Sequence, residues 1–177
     1  MAVWNAIAHQ ELSSGATSVS FASIAASYDH LVLLSSARSD ASEYNSYINF
    51  RVNNDSGSNY SRRAINATTT TENAVTGNSN SIWIYQWIPG ASSLADNFGT
   101  TETWFIDYSN TTTYKQILSR SFNANHSTTN SQWGARVSSG VWSSTAAIDR
   151  VDALCNESGD DFVQYSSFTL YGINGAG

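Results

Sequence analysis

Few residues in this chain could carry chemistry. His9, His30 and His126 are its only imidazoles, and no two stand at the helical spacing that holds a zinc ion. Asp29-His30 has the residue types of a hydrolytic-triad fragment, but no Gly-x-Ser-x-Gly elbow accompanies it, and adjacent strand residues point to opposite faces. For glycoside hydrolysis the available carboxylate pairs are Glu102 with Asp107 and Asp160 with Asp161. The first pair is separated by an odd number of residues and so faces opposite ways on a regular strand, whereas the second, beside Gly159, reads as a solvated turn. Asn53-x-Asp55-x-Gly57-x-Asn59 alternates oxygen donors as a calcium loop does, yet it lacks the second acid and terminal Glu of an EF-hand and reads as a hairpin turn. Cys155 has no partner for an intrachain disulfide and behaves as a small apolar residue. No metal, cofactor or catalytic residue is therefore expected. The richest binding material is aromatic: Trp83, Tyr85 and Trp87 share one face of the 81–88 run, with Trp104 as a fourth member. Such a platform could stack on a sugar ring or anchor an interface; the competing reading places these rings in a sandwich core.

The elements that must position these residues are strands. The chain holds 30 Ser, 16 Thr and 17 Asn against one Lys, one Pro and one Cys. Thr and aromatics favour pleated surfaces, Ser and Asn favour turns, and the good surface helix formers are scarce. Strand signals recur at intervals of about ten residues, at 3–12, 18–24, 30–38, 47–53, 60–67, 81–88, 101–108, 114–122, 132–137, 146–154 and 162–173. The expectation is an all-β fold, a jelly-roll-like antiparallel β-sandwich of about ten strands, in one domain over 1–177. In 47–53, alternation places Ile48, Phe50 and Val52 inward and Tyr47, Asn49 and Arg51 outward. Turns are expected at 13–15, 53–57, 89–90, 109–111, 138–140 and 158–159, and the segment 68–80 reads as a long exposed loop.

A net charge of −6 excludes a phosphate-backbone partner, which needs clustered Lys and Arg. The longest apolar run, 31–34, is too short to cross a membrane, and residues 1–5 lack the basic start of a secretory signal. The sequons at Asn59, Asn110 and Asn125 follow by chance from the Asn, Ser and Thr content. Lys115 and Pro89 are the only Lys and Pro available to guard open sheet edges, so edge protection falls to closure or to partner contacts.

Five segments together resemble a family of small virion proteins of tailed bacteriophages, especially those of aquatic bacteria. They are SVSFASI at 18–24 with YDHLVLL at 28–34, RVNNDSGSNYS at 51–61, DYSNTTTYKQILSR at 107–120, GVWSSTAAI at 140–148 and FTLYGI at 168–173. The chain departs from the pattern at Asn54, where Gly is expected, and at Asp160-Asp161, where small residues are usual. The resemblance implies a structural protein without catalytic residues: a head-decoration (cement) protein or a fibre protein, on a jelly-roll-like sandwich. The expected partners are the major capsid protein and further copies of this chain, a trimer being one such arrangement. The expected location is the capsid exterior, after folding in the host cytoplasm. An acidic protein suits the outside of a shell packed with nucleic acid. The alternative is a receptor- or carbohydrate-binding module of a tail or head fibre, in which Trp83, Tyr85 and Trp87 would meet a glycan.

Overall fold

The computed structural model describes residues 3–68, 72–80, 85–123, 134–156 and 159–175. These form twelve strands and no helix: β1 (Val3–Glu11), β2 (Ser18–Phe21), β3 (His30–Ala37), β4 (Asn45–Val52), β5 (Tyr60–Thr68), β6 (Glu72–Asn80), β7 (Tyr85–Pro89), β8 (Gly99–Ile106), β9 (Lys115–Asn123), β10 (Gly134–Trp142), β11 (Val151–Cys155) and β12 (Ser167–Asn174). Four antiparallel pairs nest one inside the next along the chain: β1 with β12, β2 with β11, β3 with β8, and β4 with β7. Pairing of β12 with β3 and of β11 with β4 joins them into two sheets. Nested antiparallel pairs wrapped into two facing sheets make a jelly roll, so the expected all-β sandwich is borne out, with twelve described strands instead of about ten. Two further antiparallel pairs, β5–β6 and β9–β10, extend one sheet only. The large sheet runs β1-β12-β3-β8-β9-β10-β5-β6 and the small one β2-β11-β4-β7.

Between the sheets, Leu31, Leu33, Phe105, Phe168 and Leu170 of the large sheet meet Ile48, Phe50, Val52, Val151 and Ala153 of the small one, all buried. Each fully buried large apolar side chain contributes roughly 1.5–3 kcal/mol relative to exposure. Phe50 and Phe105 meet edge to face with ring centroids 6.4 Å apart. The inward set Ile48, Phe50 and Val52 is as the alternation predicts. Asn49, expected outward into water, is instead buried, because β4 is a central strand flanked by β11 and β7 and Leu154 lies directly across the ladder.

Three other expectations are corrected by pairing from neighbouring strands. The segment 68–80 is not one long loop, since β6 is zipped onto β5 from Glu72–Ala67 through Asn80–Tyr60. Ser138-Ser139-Gly140 is not a turn. It lies in mid-β10, paired on one side with β9 and on the other with β5, and two ladders hold even a Gly-bearing run extended. Residues 146–150 precede β11 as a tied loop, where Ile148 donates its N–H to Tyr108 O at 2.8 Å and Asp149 donates to Asn53 Oδ1 at 3.0 Å.

Candidate interaction face

In β9 the pattern of burial inverts the usual one. Lys115, Ile117, Ser119, Ser121 and Asn123 point inward and are buried, while Leu118 and Phe122 point outward and are 50% and 55% exposed. The same holds in β10, where Arg136 and Ser138 are buried and Val137 is 50% exposed, and in β5, where Asn66 is buried and Ile65 is 66% exposed. Inside, the polar groups find one another. Thr103 and Ser119 hydroxyls are 2.7 Å apart, Ser35 and Thr101 hydroxyls 2.5 Å apart, and Ser121 donates to Gln86 Oε1 at 2.9 Å. Satisfied hydrogen bonds make a polar interior tolerable. Outside, the register aligns the apolar side chains. Val137 lies opposite Ile65, Ile65 opposite Ala74, Phe122 opposite Ala135, and Ala135 opposite Ala67. With strands about 4.8 Å apart, these six side chains form one contiguous uncharged patch.

Toward β1 the same outer face becomes aromatic. Tyr171, Val32, Trp104 and Leu118 succeed one another across four strands. Trp4, 47% exposed, meets Trp104 nearly perpendicularly at 5.6 Å and Tyr171 at 5.7 Å. Trp104 donates its indole N–H to Glu102 Oε1 at 2.6 Å, and Glu102 Oε2 receives Arg120 Nε at 3.0 Å and Nη2 at 2.7 Å. Partial burial acts to raise the Glu102 pKa, but the bonds from Trp104 and Arg120 and the Arg120 charge outweigh it, leaving the carboxyl below its usual range. Glu102 is thus an ionised, fixed acceptor. Trp104, Glu102, Arg120, Leu118 and Val137 line an open groove of about 330 Å³.

Of the four aromatics singled out from the sequence, Trp87 and Trp104 do not share a platform. Trp87 is only 9% exposed, and its ring covers Gly134 of β10 so closely that a Cβ there would meet Trp87 Cε3 at 2.2 Å. Trp87 thus packs against β10, while Trp104 faces outward from the large sheet. Trp83 lies outside the described residues, and for Tyr85 only the backbone, in β7, is described.

The other candidates have structural duties. Asp29 Oδ2 accepts the Gly175 N–H at 2.5 Å, while His30 Nδ1 accepts the Asp107 N–H at 3.2 Å. Asp55 accepts from Gly57 N at 2.8 Å, from Asn59 Nδ2 at 2.9 Å and from Trp142 Nε1 at 2.6 Å, so the loop's acid serves as a turn clasp. Asp160 accepts from Asn156 Nδ2 at 2.9 Å, and the Asp161 N–H donates to Asp40 Oδ1 at 2.8 Å. Cys155 is buried beside Ser39, and burial pushes its pKa up to about 12. Among the described residues, no three His, Cys, Asp or Glu side chains gather as a metal site. The sequence reading missed Trp4, Tyr171 and the Glu102–Arg120 pair. Their signal was parity: Glu102 and Trp104 share one side of β8, and Leu118, Arg120 and Phe122 share one side of β9.

Comparison of the chain with protein-family models, with curated proteins and with solved structures gave no match.

Proposed function

We propose that this chain is a non-enzymatic structural protein of a tailed-bacteriophage virion, specifically a decoration protein seated on the major capsid protein outside the head. The observation that carries the reading is the inverted polarity of β9, β10 and β5. A contiguous apolar patch faces water on a sheet whose other side is already packed, and such patches mark interaction surfaces. Ile65, Phe122 and Val137 are the anchors, and the exposed Arg63, Thr76, Arg120 and Ser139 side chains beside them on the same face supply a polar rim. The sequence resemblance supplies the virion setting, and the charge of −6 suits an exterior position. Many copies bound only to the assembled shell stabilise it by mass action. Contacts among copies around a capsid symmetry axis, a trimer for example, add to that effect.

The test is the copy number in purified virions, by quantitative mass spectrometry against the major capsid protein. A ratio that is a simple fraction of the capsid lattice is the expected result, and shells stripped of the protein should lose resistance to heat. A few copies per particle would instead favour a fibre. The fibre alternative no longer draws on Trp87, whose ring is covered.

A further inference from the structure

We infer that the groove between Trp104 and Arg120 on the outer face of the large sheet is a binding site for a neutral saccharide. The groove adjoins the apolar patch and shares Val137 with it, but Trp104, Glu102 and Arg120 lie outside the patch, so the inference does not rest on capsid docking. Sugar recognition needs two things side by side: an aromatic ring to cover the C–H face of a pyranose, and planar polar groups to bridge its neighbouring hydroxyls. The groove has both. Trp104 and Leu118 form the apolar wall, and the Glu102–Arg120 pair forms the polar edge.

The arrangement is held before any ligand arrives. Trp104 is fixed by its bond to Glu102 and backed on the β1 side by Trp4, which in turn rests against Tyr171. Glu102 is fixed in turn by two bonds from Arg120. A site whose rotamers are already locked loses less entropy on binding. Glu102 Oε1, which accepts only the Trp104 indole, keeps a further lone pair for a sugar hydroxyl, and the half-exposed Arg120 guanidinium keeps donors on its outer side. Because Glu102 and Arg120 cancel in charge, a neutral sugar is favoured over an acidic one. A volume of about 330 Å³ is at the small end of ligand clefts, roughly 300–1,000 Å³. It suits one or two sugar rings with the rest of the chain running across the open sheet.

The experiment uses the full-length chain labelled with 5-fluorotryptophan, with the Trp104 signal assigned from Trp104→Phe. It is titrated with neutral tetrasaccharides of glucose, galactose, mannose and N-acetylglucosamine in α and β linkage. The expected result is a saturable shift of the Trp104 signal with at least one of them. That binding should be weakened about tenfold or more by Trp104→Ala and by Arg120→Ala, while Phe122→Ser, in the neighbouring patch, leaves it unchanged. Arg120→Ala removes an exposed side chain and keeps the proposal testable should Trp104→Ala fail to fold. No shift with any tetrasaccharide up to roughly 10 mM, or binding that survives Arg120→Ala unweakened, overturns the inference. Either failure leaves the copy-number test of capsid decoration untouched.

Discussion

Asp55 holds the turn between β4 and β5 to the far end of β10, because its carboxylate receives Gly57, Asn59 and the indole of Trp142 together. The Asp55 carbonyl also accepts the Tyr60 hydroxyl at 2.9 Å, and the Tyr60 and Trp142 rings stack at 6.4 Å. Partial burial acts to raise the Asp55 pKa, but the bonds from Trp142, Asn59 and Gly57 and the Arg51 charge outweigh it, so the net shift is downward. A carboxyl with a depressed folded pKa contributes stability above its unfolded pKa, about 3.9, and loses it as pH falls through the folded value. The melting temperature should therefore fall below about pH 4 in the natural chain, and Asp55→Asn should flatten that fall, as thermal scans across pH would record. Asp55→Ala, which strands the Trp142 N–H, is expected to cost about 1–3 kcal/mol in urea unfolding. Gly134 makes a second residue-scale prediction. A Cβ there meets the Trp87 ring at 2.2 Å, so Gly134→Ala should cost about 1–3 kcal/mol by overpacking. Neither role was visible from residue types. The run at 53–59 is a turn but not the expected hairpin, since β4 and β5 lie in different sheets and its partner Trp142 is 87 residues away; for Trp87 the core reading competed with the platform, and its contact with Gly134 decides for burial.

At the scale of the element, strands with strong local alternation were legible and strands made by their neighbours were not. The inward face of β4 could be read from Ile48, Phe50 and Val52 alone. The run ENAVTGNSN carries almost no apolar signal, and it is a strand because β5 offers it an edge. The same limit hid the apolar face. In β9 an observer assuming apolar side chains inside would place Leu118 and Phe122 in the core, whereas Ser119 and Ser121 are there. Turning the strand over would move the hydroxyls away from Thr103, Glu102 O and Gln86, and a strand paired on both sides resists a one-residue slip. The apolar outer face is thus free to serve a partner without supporting the fold. Val137→Lys combined with Ile65→Lys should shift unfolding by within about 0.5 kcal/mol per site, measured by denaturant melts. The same pair should abolish retention on capsids in a sedimentation assay. A variant that stays bound would mean docking uses another face.

For the whole molecule, nesting puts the most distant segments together, since the ladder of β1 with β12 starts at Val3 opposite Asn174. No local signal announces such a pairing, so the sequence indicates a sandwich while the order of strands within it needs the structure. The pairing also shapes folding. β12 lies between β1 and β3 in the large sheet and brings Phe168 and Leu170 into the core, so its docking must close almost the entire chain. Folds dominated by such non-local pairing refold in milliseconds to seconds, because loop-closure entropy is lost before contacts repay it. A circular permutant that joins residue 174 to residue 3 through a short Gly/Ser linker, opened at the exposed residues 26–27 between β2 and β3, which lie in different sheets, turns the longest-range pair into a hairpin and breaks no existing one. It keeps every buried side chain of the core, so its equilibrium spectrum should match that of the natural chain. Its refolding, followed by stopped-flow tryptophan fluorescence, should be faster by about tenfold, with the unfolding rate little altered. An unchanged refolding rate would place the closure of β1 onto β12 after the barrier, and the inner pairs β4 with β7 and β3 with β8 would then be the step that limits folding.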